Sequence, residues 1–133
     1  MNVEVPVFVL LGIFAVFFIG FFLYRYLKWS EDDRRANELL RSVLTCERYG
    51  QLMLNGHLDI PSPRDPERVY RVPRGHGLVK VIERGRLKES LCLQPLEIVP
   101  DADIVVMHKL MIEADEETYL QAANKFAPMS TGA

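Results

Sequence analysis

The stretch Pro73-Arg74-Gly75-His76-Gly77 has the residue types for anion chemistry. Two glycines let backbone amides approach a negatively charged group, while Arg74 supplies charge and His76 a charge or a proton. Arg74, Gly75, His76 and Gly77 are therefore the candidate anion-binding turn. The spacing is unspecific: it has neither the Lys-Ser/Thr ending of a phosphate loop nor the third glycine of a dinucleotide fingerprint. A hairpin turn opened by Pro and closed by Gly has the same composition, and the plain turn is the preferred reading.

Imidazole and thiolate are the usual zinc donors, and the chain offers His57, His76, His108, Cys46 and Cys92. None lies within four positions of another, so no local ligand pair forms, and no metal or other cofactor is expected. The two cysteines are expected as buried small apolar groups and not as a disulfide. Acids cluster at Glu113, Asp115, Glu116 and Glu117, but a charge run at a helix start is usually a solvated cap. No Ser, Cys or Lys stands beside a base in a nucleophile motif. No catalytic residue is assigned, and an enzyme is not expected.

The charge layout carries more information. From Arg64 to Lys88 there are eight basic residues and three acids, whereas Glu97 to Glu117 holds seven acids and, of Lys and Arg, only Lys109. The basic part suits anionic lipid headgroups or an acidic neighbouring subunit; equally, the two parts can neutralise each other within the fold. After Tyr24 the 16 Lys and Arg meet 17 Asp and Glu, the 18 acids less Glu4. Nucleic-acid binding is not expected of so neutral a region.

These groups hang from an unusual N-terminal element. Residues 5–24 hold no charged side chain and are bounded by Glu4 and Arg25; at about 1.5 Å per residue they reach roughly 30 Å, the thickness of a bilayer's hydrocarbon core. A removable signal peptide would carry positive charge ahead of the run and small residues behind it, and neither is present. Arg25, Lys28, Arg34 and Arg35 all follow the run, which predicts the N-terminus outside and the C-terminal part inside. Tyr24, Arg25, Tyr26, Lys28 and Trp29 are the expected membrane-interface residues. Gly12 and Gly20, about 80° apart around a helix, with Ala15 nearby, leave a shallow side for another helix, and phenylalanines cover much of the rest. These three are the candidate helix-docking residues. No ionisable group lies within the span, which argues against an ion path.

The remaining 109 residues suffice for one small domain. Ser30-Glu31-Asp32-Asp33 has the form of a helix start, and Ala36, Leu39, Leu40, Val43 and Leu44 follow helical spacing. An amphipathic helix is expected over 30–56, stopped at Asn55-Gly56, with Gly50 the alternative stop a turn sooner. Pro61, Pro63 and Pro66 mark 57–66 as an ordered linker. Strands are expected at Arg68–Val72, Leu78–Glu83 and Leu87–Leu93, the first two as a hairpin, and a further central strand at Ile104–Ile112, with helix the alternative for the second half of that run. Asp115-Glu116-Glu117-Thr118 starts a helix through Tyr119, Leu120, Ala123 and Phe126 that closes at Pro128. The last five residues read as a frayed tail.

The fold class read from the sequence is a single-pass membrane protein: one N-terminal transmembrane helix, an amphipathic helix and a small α+β domain. Its divisions are 1–29 anchor, 30–56 helix, 57–66 linker, 67–128 domain and 129–133 tail. The expected role is a non-catalytic subunit of a hetero-oligomeric membrane complex, of the energy-transducing kind (respiratory chain, ATP synthase or photosynthetic) in which bitopic subunits of this size are common. Its expected partners are the other membrane subunits and the lipid bilayer, anionic lipids included. The expected place is a mitochondrial inner membrane or a bacterial plasma membrane, with the domain on the matrix or cytoplasmic side. The alternative is a membrane-tethered module that recruits an anionic ligand or a soluble protein.

Overall fold

Apolar residues without interruption favour helix where no polar face is needed, and the first element is one unbroken helix, α1, Val7–Val43, of 37 residues. It is seen in a computed structural model that describes residues 6–128. Val5, at the head of the apolar run, and the expected tail Met129–Ala133 lie outside the described residues. The chain forms two units divided between Arg34 and Arg35.

In the first unit α1 is long and apolar enough to cross a membrane by length and composition, and none of its most apolar stretch is buried. Ser30 does not start a new helix. The residues before it are already helical, so the backbone ladder runs through Ser30-Glu31-Asp32-Asp33 and a capping signal has no free amides to cap.

The second unit begins within the same helix, where Ala36, Leu40 and Leu44 enter the core. Residues 30–56 are not one helix: α1 ends at Val43, and Thr45, extended at φ −68° and ψ 156°, caps a separate α2, Cys46–Asn55, its side chain accepting from the Arg48 amide. The expected stop at Asn55-Gly56 holds, with Gly56 at φ 73° sending its N–H to Leu52 O. Residues 57–61 are not linker but an edge strand, β1, His57–Pro61. Its Leu58 and Ile60 point inward, and Pro61 ends it where a missing amide costs least.

A meander follows: β2, Arg68–Pro73; β3, Val79–Glu83; and β4, Arg86–Cys92, each antiparallel to its predecessor. The β2–β3 hairpin is as expected. The run Ile104–Ile112 is not a strand but the middle of a helix, α3, Asp101–Ala114. Its Ile and Val residues have high strand propensity, but tertiary packing buries Ala102, Val105, Val106 and Ile112 against the sheet, and propensity yields to burial. Asp115 caps α4, Glu116–Ala122, accepting from the Thr118 amide. This helix does not reach Phe126. Ala123 turns extended, and β5, Asn124–Phe126, pairs with β4 to complete the sheet in the order β1-β2-β3-β4-β5. Cys46 is exposed and Cys92 half-buried, both free, so the expected burial of the cysteines does not hold.

Glycines at two neighbouring places separate conformational need from cost. Gly56 needs φ 73°, so Gly56→Ala is expected to cost about 1 kcal/mol. Gly50 sits inside α2 with nothing within 4 Å of an added Cβ, so Gly50→Ala is expected to stabilise by about 0.5–1 kcal/mol. Urea unfolding of the full chain in detergent, followed by circular dichroism, measures both.

Candidate functional site

Three places bring chemistry-bearing residues together. The most buried centres on Glu116, whose side chain enters the core from the first turn of α4 and is 3% exposed. Ser62 Oγ lies 2.7 Å from both of its oxygens, Arg68 Nη1 donates to Oε1 at 3.0 Å, and Tyr70 Oη donates to the same oxygen. Ser62 Oγ in turn accepts from the Arg64 and Asp65 amides. Arg68 continues outward, its Nε donating to Glu83 at 2.8 Å, and Lys88 reaches the same Glu83 oxygen. Burial alone would push the Glu116 carboxyl up; the bonds from Tyr70, Ser62 and Arg68 outweigh it and hold the group below the usual range. Tyr70 is driven upward by burial and then by the Glu116 carboxylate, so its hydroxyl stays protonated as a donor.

Beside this knot, Tyr119 packs edge-on to both Tyr70 and His108, and His108 Nδ1 lies 2.9 Å from Tyr119 Oη. His108 is 1% exposed, and burial lowers its pKa to about 4. Both Glu116 oxygens, the Ser62 and Tyr70 hydroxyls and the Arg68 guanidinium are bonded to one another across the fold. The arrangement locks α4, the β1–β2 connection and the meander together.

The second place is the turn after β2. Arg74, His76 and Gly77 are exposed and Gly75 half-buried. The anion against this turn is the protein's own: a Cβ at Gly75 would come within 2.9 Å of the Asp101 carboxylate, and His76 Nε2 lies 3.6 Å from Asp101 Oδ1. Asp101 opens α3, so the turn is tied to a helix start, and a dissolved anion would have to displace a carboxylate already there.

The third place is the surface of α1. Nothing lies within 4 Å of an added Cβ at Gly12 or Gly20, and Ala15 is exposed between them. Shallow apolar hollows form between Phe18, Ile19, Phe22, Leu23 and Tyr26, and between Ile13, Phe14, Phe17 and Phe21. Tyr24, Arg25, Tyr26, Lys28 and Trp29 follow on the same helix, all exposed, with the Arg25 guanidinium 5.9 Å from the Phe21 ring centre.

Among the described residues no group of three His, Cys, Asp or Glu is placed to hold an ion. The charge-rich parts pair with each other in places, through Arg64–Glu117 and Arg68–Glu116, and within the basic part through Arg84–Glu67. Compared with known proteins, the chain matches no protein family, no curated protein and no solved structure.

Sequence reading missed the Glu116 knot because Glu116 lies in an acidic run. The signal was its spacing: it stands three, four and seven positions before Tyr119, Leu120 and Ala123, on the face that packs inward.

Two variants and one titration test this account. Glu116→Gln is expected to cost about 2 kcal/mol by leaving Arg68 without its inner carboxylate, whereas Glu117→Gln, in an exposed pair, should change stability by less than about 0.5 kcal/mol. His108 binds its proton less readily folded than unfolded, so its contribution is complete above about pH 6.5. It is lost as pH falls toward its folded value of about 4. The loss should approach roughly 3 kcal/mol and be absent in His108→Gln, read from unfolding midpoints between pH 7 and pH 4.

Proposed function

We propose that the protein is a non-catalytic structural or assembly subunit of a multisubunit membrane complex, docked through α1, with its second unit on the matrix or cytoplasmic side of a mitochondrial inner membrane or a bacterial plasma membrane. The observation that carries this reading is the state of α1. From Val7 to Leu27 its large apolar side chains are all about half exposed or more, around the whole circumference of the helix. Left in water, that area would cost about 25 cal/mol for each Å², so it requires lipid or the helices of a partner. Gly12, Ala15 and Gly20 supply the low relief on which another helix packs closely, and the basic residues from Arg25 onward suit the side that retains positive charge. The complex is of the energy-transducing type in this proposal, because single-helix subunits of this size are common there. The alternative, an anion-recruiting module built on Arg74 to Gly77, has the Asp101 carboxylate against it.

Membranes washed with alkaline carbonate should retain the full chain and release a form lacking residues 1–24. After gentle detergent extraction the chain should migrate on native gels with partners at several times its 15.3 kDa mass. Gly12→Leu together with Gly20→Leu should free it from that assembly while leaving it in the membrane fraction. A wild-type chain that migrates alone rules out the subunit reading.

A further inference from the structure

The sheet of the second unit is covered on one face only. Leu58, Ile60, Tyr70, Val72, Val79, Val81 and Leu91 point into the core, and the alternate positions face away from it. Strand register sets Pro61, Val69, Ile82 and Leu87 in one row across that open face. Asp59, Arg71, Lys80, Ser90 and Phe126 form the next row. Val69 and Ile82 are half-buried, and Leu87 and Phe126 are 42% and 50% exposed. An apolar row of this kind, crossing four strands at or one position in from their ends, favours a cover.

The charge in the next row says what the cover carries. Lys80 stands directly opposite Arg71, and like charges directly opposite across a ladder destabilise it. The acid of that row is already used: Arg71 Nε and Nη2 hold both oxygens of Asp59 at 2.9 and 3.0 Å. Lys80 itself makes no ion pair among the described residues. Lys80 thus stands exposed on this face without a carboxylate partner, beside the apolar row of Val69, Ile82 and Leu87.

The same unit displays a complementary combination elsewhere. Between β4 and α3, Leu96 is fully exposed and Ile98 is 84% exposed, with exposed Glu97 between them. Glu97 also makes no ion pair among the described residues. The chain bends at Leu96 and Glu97, which removes the strand alternation that would point Glu97 away from its neighbours. We propose that the open sheet face is a self-association surface, on which a second copy lays its Leu96-Glu97-Ile98 loop, Glu97 meeting Lys80 and the two apolar side chains covering Val69, Ile82 and Leu87. The loop leaves the sheet at Cys92, the end of a strand that itself forms part of the open face. Two copies can therefore exchange loops about a two-fold axis, which closes the contact as a dimer. This inference does not depend on what α1 docks against.

The test uses the full chain in nanodiscs, as an equimolar mixture of unlabelled and ¹⁵N-labelled protein. Carbodiimide treatment should join Lys80 of one copy to Glu97 of another, giving peptide pairs of mixed label by mass spectrometry. Sedimentation in detergent should show Lys80→Glu and Glu97→Lys each weakening self-association about tenfold, and the double exchange restoring it to within about twofold of wild type. Pairs of a single label only, no Lys80–Glu97 pair, unweakened association in either single variant, or a double variant that does not recover would each overturn the proposal. Both positions are exposed; should one variant fail to fold, the other and the crosslink decide.

Discussion

A carboxylate taken out of water costs several kcal/mol unless its lone pairs are answered, and the second unit is organised around answering one. Glu116 draws a hydroxyl from Ser62 after β1, and a guanidinium and a phenol from Arg68 and Tyr70 on β2. None of these donors is near it in sequence, so the carboxylate is satisfied only when α4, the β1–β2 connection and the meander are all in place. Its position in the first turn of α4 adds the favourable end of the helix dipole. Through Arg68 the network reaches Glu83 and Lys88, and through Tyr70 and Tyr119 it reaches His108 on α3. Folding of this unit should accordingly be cooperative, since a half-made knot is worse than an apolar core.

That saturation also bears on function. The Glu116 oxygens, the Ser62 and Tyr70 hydroxyls and the Arg68 guanidinium spend their valences on one another, which is a structural use of them. The chain's unanswered requirements lie on its surfaces instead. One is the apolar circumference of α1; the other is the uncovered sheet face with the Lys80 ammonium opposite Arg71. Both are surfaces suited to contact, and the assembly role proposed above rests on that.

What the sequence made legible was what local chemistry decides. The apolar run of α1, the αL stop at Gly56, the meander between Arg68 and Cys92 and the acidic cap of α4 all follow from composition or turn residues. Long-range burial decided the rest. Ile104 to Ile112 is β-branched enough to be read as a strand, yet no turn residue interrupts the span from Asp101 to Ala114, a length of 14 that suits a helix better than a strand. Leu58 and Ile60 alternate as a strand should, but three prolines nearby outweighed that signal. Thr45 caps α2 as a single hydroxyl in a helical context, too weak a mark against a continuing apolar stripe. The Arg74–Gly77 stretch was legible as a turn; that Asp101, 25 residues after His76, lies against it was not.

The two unanswered surfaces obey different physics, and that difference keeps them from competing. Contacts along α1 exclude water, involve no charge between Pro6 and Tyr24, and depend on how closely backbones approach past Gly12 and Gly20. Salt scarcely touches such contacts. On the sheet face, the proposed Lys80–Glu97 pair across the middle strand would be screened over a Debye length of about 8 Å at physiological ionic strength wherever water reaches it. An apolar row alone would accept many covers; the ammonium beside it rejects those that bring no carboxylate, since each would leave Lys80 desolvated and unpaired. Thus the charge contributes selection where the apolar row contributes attraction. If α1 holds the chain in a membrane plane as proposed, neighbours meet at high local concentration, and a weak but selective contact of this kind would suffice to set which copies associate.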